Sequence, residues 1–259
     1  MNDGESHKPG GRSKCDFCTF GLIVTGEGER EFLPRFFTSL MERTGCTFTL
    51  LSQIGQRNPI TSPAKKLRMV GSGQTIPTSD EEEIGLPARR FLRNQPCRFL
   101  LLLDDAEEAR RPILHEVFRR YRAALDTMLL PAERNRAAVH FFANMVEAYY
   151  FAHSAAVNSA LGETVLVADH PGDVETIGHP KGELKRLREG FDEMADGANI
   201  VPLLDLDRIL NNSATCAFLR ALFAWCVRQL EENCPVHDTE LGARYQLVTG
   251  AQAEITRHQ

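Results

Sequence analysis

Phe99-Leu100-Leu101-Leu102-Leu103-Asp104-Asp105-Ala106-Glu107-Glu108 is the stretch that decides the fold. A short unbroken apolar run reads as a strand buried on both faces, the pattern of a parallel sheet covered by helices, and in such sheets ligands bind beyond the carboxyl ends of the strands. A second run, Phe20-Gly21-Leu22-Ile23-Val24-Thr25, leads in the same way into Gly26-Glu27-Gly28-Glu29. Both acidic clusters then sit at one rim. Carboxylates converging there repel one another unless a divalent cation neutralises them, so a Mg²⁺ or Mn²⁺ site is the first expectation.

Outward from these runs, helical and strand patterns alternate. The first strand covers Phe17 to Thr25, and a helix follows through Phe32, Leu33, Phe36, Phe37, Leu40 and Met41, with Pro34 in its first turn and Gly45 closing it. A second strand is expected at Thr47 to Leu51, a short helix at Pro87 to Arg93, the apolar strand at Arg98 to Leu103, and a long helix from Pro112 to Leu129. Ala137 to Phe142 reads as a fourth strand and Asn144 to Ala156 as a helix; amphipathic helices at Lys181 to Met194 and Ala214 to Leu230 would cap the sheet. This order is that of an α/β sheet with mostly parallel strands. Between Gly55 and Gly85 lies a stretch thick in Pro, Gly and Ser, read as a surface insertion in preference to a substrate flap.

A chain of 259 residues with 42% hydrophobic content has ample material for a core, and its net charge of −5 argues against unspecific coating of DNA while leaving local basic patches free to grip phosphates. Its apolar runs are too short to span a bilayer, and Met1 to Lys14 is polar, without the apolar segment of a signal peptide. A cytoplasmic protein with no membrane contact is expected. The seven scattered cysteines suit reduced thiols. Cys15-Asp16-Phe17-Cys18 has zinc-ligand spacing, but no second such pair exists and His7 or His237 would have to be recruited, so two ordinary thiols is the favoured reading. No dinucleotide-binding or P-loop glycine pattern occurs, which argues against a nucleotide cofactor and against ATP hydrolysis by this chain alone.

Val24-Thr25-Gly26-Glu27-Gly28-Glu29-Arg30-Glu31-Phe32-Leu33-Pro34, the strand ending in Asp104-Asp105, and Asn144-Met145-Val146-Glu147-Ala148-Tyr149-Tyr150 followed by Lys181 to Leu187 resemble an uncharacterised family of TOPRIM-like proteins, itself similar to the TOPRIM domains of OLD-family nucleases. The resemblance covers residues 17 to 230. It implies a Rossmann-like TOPRIM fold with a mostly parallel central sheet flanked by helices, Mg²⁺-dependent phosphodiester chemistry, and an ATPase partner subunit in bacterial anti-phage defence. The expected organisation is a disordered tail at 1–14, a TOPRIM-like α/β domain at 15–160, and a helical C-terminal portion at 161–259 packed on the same domain. Two positions depart from the TOPRIM pattern: Thr25 stands where that family places a glutamate, and Ala106 where it places the second aspartate of an Asp-x-Asp pair.

The residues expected to carry the chemistry are therefore Glu27, Asp104, Asp105 and Glu107 as metal ligands, with Glu27, Asp104, Glu147 and Lys185 in catalysis. Asp104 and Asp105 would hold the ion, Glu27 would complete the site or activate water, and Lys185 would neutralise transition-state charge. Glu147, in an apolar surround, either finds a partner or joins the rim as ligand or base. Bland readings stand beside these: Glu29, Glu31, Glu107 and Glu108 suit the first turns of helices, and the basic residues Lys181, Lys185, Arg186 and Arg188 suit a solvated surface. His140 and His153 read as structural. The functional expectation is a divalent-metal-dependent nuclease acting on DNA or RNA. The alternative is a catalytically silent module that engages a partner protein or nucleic acid.

Overall fold

The computed structural model describes residues 15–57, 68–69, 75–76, 78–234 and 240–245. The expected tail at 1–14, His7, His237 and most of the Pro/Gly/Ser-rich stretch lie outside them. Four parallel strands, β1 (Cys18–Val24), β2 (Cys46–Gln53), β5 (Arg98–Ala106) and β6 (Ala137–Ala143), form the central sheet in the order β2-β1-β5-β6; β3 (Arg68–Met69) and β4 (Thr75–Ile76) pair antiparallel apart from it. The helices are α1 (Glu27–Phe36), α2 (Thr38–Arg43), α3 (Leu86–Leu92), α4 (Leu114–Met128), α5 (Pro131–Arg134), α6 (Ser154–Leu161), α7 (Pro180–Leu187), α8 (Glu193–Ile200), α9 (Leu206–Ile209), α10 (Ala217–Asn233) and α11 (Leu241–Arg244). The expected α/β class, with a parallel sheet between helices, is what forms.

Strand alternation sorts the apolar runs onto two faces. Phe99, Leu101 and Leu103 join Phe20, Leu22, Val24 and Phe142 in a core closed by α1 and α10, where Phe36 packs edge-on to Phe142 and Trp225 packs against Phe20 and Phe99. Leu100, Leu102 and Ala106 join Val139 and Phe141 in a second core closed by α3 and α4 through Ala88, Leu92, Val117 and Tyr121. The chain runs from β1 outward to β2 on one side and from β5 outward to β6 on the other. The strand order therefore reverses between β1 and β5, and the crevice at their carboxyl ends is where open α/β sheets accept ligands.

Several boundaries differ from the sequence expectations for local physical reasons. The first helix begins at Glu27, so Pro34 sits inside it rather than in its first turn, and the helix gives way at Phe37 to α2. Pro112 falls in a 3₁₀ segment, Glu108–Ile113, ahead of α4. Asn144 to Ala156 is not one helix: Asn144 turns left-handed (φ 62°), a 3₁₀ segment spans Val146–Ala152, and α6 starts after His153. Lys181 to Met194 is likewise split, because Gly190 adopts φ 77° and Asp192 caps the N-terminus of α8 by accepting from Met194 N and Ala195 N.

The cysteines require a correction. Cys15 is joined to Cys97 and Cys18 to Cys234, across separations of 82 and 216 residues, while Cys46, Cys216 and Cys226 are free and buried. Pairings of such range come from the closed fold and leave no spacing signal. Among the described residues no helix is long and apolar enough to cross a membrane.

Candidate functional site

The register of the sheet sets Thr25, Asp104, Asp105 and Asn144 at the ends of β1, β5 and β6, with Val24 opposite Leu103 and Asp105 opposite Phe142. Asp104 and Asp105 are neighbours in sequence and, in a strand, point to opposite faces. Asp104 faces α4. Its Oδ1 accepts from Thr25 Oγ1 at 2.7 Å and Arg110 Nη1 at 3.1 Å, and its Oδ2 accepts from Arg110 Nη2 at 2.6 Å and the Tyr121 hydroxyl at 2.8 Å. Arg110 also donates to the Asp105 carbonyl at 2.6 Å and to the Arg57 carbonyl at 3.0 Å. The Asp104 carboxylate is thus fully engaged, and its ion pair with Arg110 is buried on both sides.

Asp105 faces the other way, toward α1 and the 3₁₀ segment Val146–Ala152. Its Oδ1 is buried and without a hydrogen-bond partner among the described residues. Burial first, then the charges of Glu29, Asp104, Glu147 and Glu107, hold its carboxyl well above the usual range. Glu29 is 6% exposed and is also raised, by burial first and further by Asp104, against the pull of its own backbone N–H, Lys181 and Asp105. Burial pushes Glu147 up to about 7, with Glu29 and Glu193 adding to the rise and its backbone N–H and Lys181 opposing it. Beside them the Tyr150 hydroxyl is buried with no hydrogen-bond partner among the described residues, and burial and the charges of Glu147 and Glu29 raise it well above the usual phenol range. Glu29, Asp105 and Glu147 are thus buried acids that act on one another electrostatically, and among the described residues Lys181 is a cation whose charge reaches all three.

Lys181 lies on α7, where burial lowers its pKa and the pairing with Glu193 and the charges of Glu147 and Asp105 more than restore it. Glu193 holds both lysines of the expected basic face, accepting from Lys181 at 2.5 Å and from Lys185 at 2.8 Å. Lys185 is half-exposed at this outer end of the bridge. Glu27 is 66% exposed and paired with Arg30 at 3.3 Å, outside the buried group. Glu107 is partly buried, ahead of the 3₁₀ segment that carries Arg110, and reaches the group through its charge on Asp105.

Glu29 is the ligand candidate that the helix-dipole reading passed over. With α1 starting at Glu27, Glu29 falls in phase with Phe32, Leu33 and Phe36 on the buried stripe, a carboxylate at i before apolar i+3, i+4 and i+7. Gly26 makes room for it: a Cβ at that position would stand 1.6 Å from Glu29 Oε2. Glu175 was also missed and does a different job. It accepts from the Tyr149 hydroxyl and from Phe218 N and Leu219 N, seating the first turn of α10, and burial pushes it up to about 7.

The residues present suit a hard divalent cation in kind: carboxylate oxygens, an orphaned acceptor on Asp105, and repulsion that an ion would relieve. Among the described residues no three His, Cys, Asp or Glu side chains are gathered tightly enough to hold an ion as they stand. A cavity of about 350 Å³ lies elsewhere, bordered by Asp169, His170, Arg208 and Asn212, with Arg208 tied to Asp169.

Fold and site together define an α/β protein with a buried acidic group at the switch point of a parallel sheet. No family model, curated protein or solved structure matches the chain.

Proposed function

We propose that this chain is a TOPRIM-like, divalent-metal-dependent phosphodiesterase acting on nucleic acid. The observation that carries the reading is the convergence of Glu29, Asp105 and Glu147, drawn from three separate segments, on one buried acidic group beside Lys181 at the sheet's switch point. These three carboxylates would hold Mg²⁺ or Mn²⁺. When bound, such an ion would supply a Lewis acid for a phosphoryl oxygen and would acidify an attacking water. Lys181, ion-paired with Glu193, would offer positive charge to a substrate phosphate, and the Tyr150 hydroxyl would supply a donor beside it.

In this assignment Asp105, rather than Asp104, takes the metal-holding part, and Glu29 replaces Glu27. Asp104 is a positioning residue, since its bonds to Thr25, Arg110 and Tyr121 lock the ends of β1 and β5 at one level. Assays with Mn²⁺ on single-stranded DNA, duplex DNA and RNA test the reading. Cleavage that EDTA stops and that falls at least about 100-fold in Asp105→Asn and Glu147→Gln is the expected result. Absence of cleavage on all three substrates in the presence of bound metal contradicts it.

One observation favours a second reading. The aspartate that keeps register with the TOPRIM pattern, Asp104, is consumed by Arg110. A catalytically silent module that binds nucleic acid or a partner, including the ATPase subunit implied by the resemblance, would tolerate that substitution of roles. Stable nucleic-acid binding in EDTA, without cleavage in Mn²⁺, would select it.

A further inference from the structure

Away from the acidic rim, two disulfides tie four cysteines to the opposite, amino-terminal end of β1. Cys15 and Cys18 come from the chain entering that strand, Cys97 from the turn before β5, and Cys234 from the end of α10. The backbone ties them crosswise. Cys15, disulfide-bonded to Cys97, donates its N–H to Asn233 O at 2.7 Å, next to Cys234; Thr19, next to Cys18, donates to Cys97 O at 3.0 Å. Each cysteine is therefore held by main chain beside the partner of the other pair. Cys18 and Cys234 are 0% and 2% exposed, and Cys97 packs against the same apolar core.

From this arrangement we propose that the four cysteines form a tetrathiolate zinc site, occupied when they are reduced. Cys15-x-x-Cys18 has the spacing of one half of such a site, and Cys97 and Cys234 supply the other half through the fold instead of through a second local motif. Zn–S bonds of about 2.3 Å place tetrahedral sulfurs about 3.8 Å apart, wider than a disulfide. The Cα atoms of Cys18 and Cys234 are 7.0 Å apart, at the outer reach of disulfide geometry and well within that of a bridging ion. As disulfides the four sulfurs offer no thiolate. Two dithiol reductant molecules convert the two disulfides to four thiols and are themselves oxidised to two disulfides; Zn²⁺ then displaces four protons. The ion would tie the start of β1 to the end of α10 and the turn before β5, closing the core that both disulfides now close.

Chain purified under a dithiol reductant should carry one zinc that a mercurial releases. Its Co²⁺ replacement should show sulfur-to-metal charge-transfer absorption. Cys97→Ser and Cys234→Ser should each lose the ion, whereas Cys46→Ser keeps it. Zinc-free protein, whether with all seven thiols titratable or with only three, overturns the proposal. So does a bound cobalt without the charge-transfer band, which would lie at carboxylates. The wild-type measurements decide the matter even if a serine variant fails to fold.

Discussion

Asp104 and Asp105 share a peptide bond and lead opposite lives. On the α4 side of the sheet, Asp104 has both oxygens occupied by Thr25, Arg110 and Tyr121, so its charge is balanced and its geometry fixed. On the α1 side, Asp105 keeps one oxygen orphaned among Glu29 and Glu147, and its raised pKa reports burial without sufficient counter-charge. The difference separates a carboxylate that builds the fold from the one to which the proposed function gives the metal. Buried polar groups are normally satisfied, and the exception at Asp105 is what the proposed metal site would account for.

If the comparison is right, substitutions on the two faces have opposite signs. Removing one partner of the satisfied pair leaves a buried charge alone, so Arg110→Met should destabilise the fold by about 3–5 kcal/mol in urea unfolding. A loss below about 1 kcal/mol would mean that the Asp104 network is not structural.

The next effect is one of pH. Glu147 is pushed up to about 7 from an ordinary 4.5, so between those values the folded chain keeps a proton that the unfolded chain has lost. Stability should therefore fall as pH rises through that window, by at most about 3 kcal/mol for this group. Glu175, also pushed up to about 7, adds a share of the same sign. Glu147→Gln should flatten the profile without abolishing it, and Mn²⁺ should restore stability at the alkaline end in the wild type only. An unchanged profile in Glu147→Gln would remove Glu147 from the acidic group.

Smaller still, Asp105→Asn removes an unfavourable charge and should stabilise the metal-free protein above neutral pH, on the order of 1 kcal/mol by thermal unfolding. Destabilisation would place Asp105 with Asp104 as a structural acid. Lys185→Ala, at the exposed end of the Glu193 bridge, should change stability by less than about 0.5 kcal/mol in the same assay.

The sheet was legible because its signals are local. Phe99 to Leu103 and Phe20 to Val24 are apolar on both faces, the pattern of strands in a helix-covered parallel sheet. The same property hid the site: a strand apolar on both sides does not say which of Asp104 and Asp105 points to which helix layer. Glu147 was named from its apolar surround. Glu29 had a readable signal, its phase with Phe32, Leu33 and Phe36, which the glycines around it obscured. Arg110 closes on Asp104 from six residues on, through the 3₁₀ segment after β5, which has no helical or strand periodicity to announce it, and Cys234 meets Cys18 only across the folded chain.

The most direct measurement is a calorimetric titration with Mn²⁺ at neutral pH in two buffers of different ionisation enthalpy, for the wild type and Asp105→Asn. The expected result is binding that releases protons, as the ion displaces the one shared by Glu147, pushed up to about 7, and its raised neighbours, and that is lost in Asp105→Asn. Binding that is unaltered in that variant, or that releases no protons, would contradict the assignment of the acidic group as the metal site.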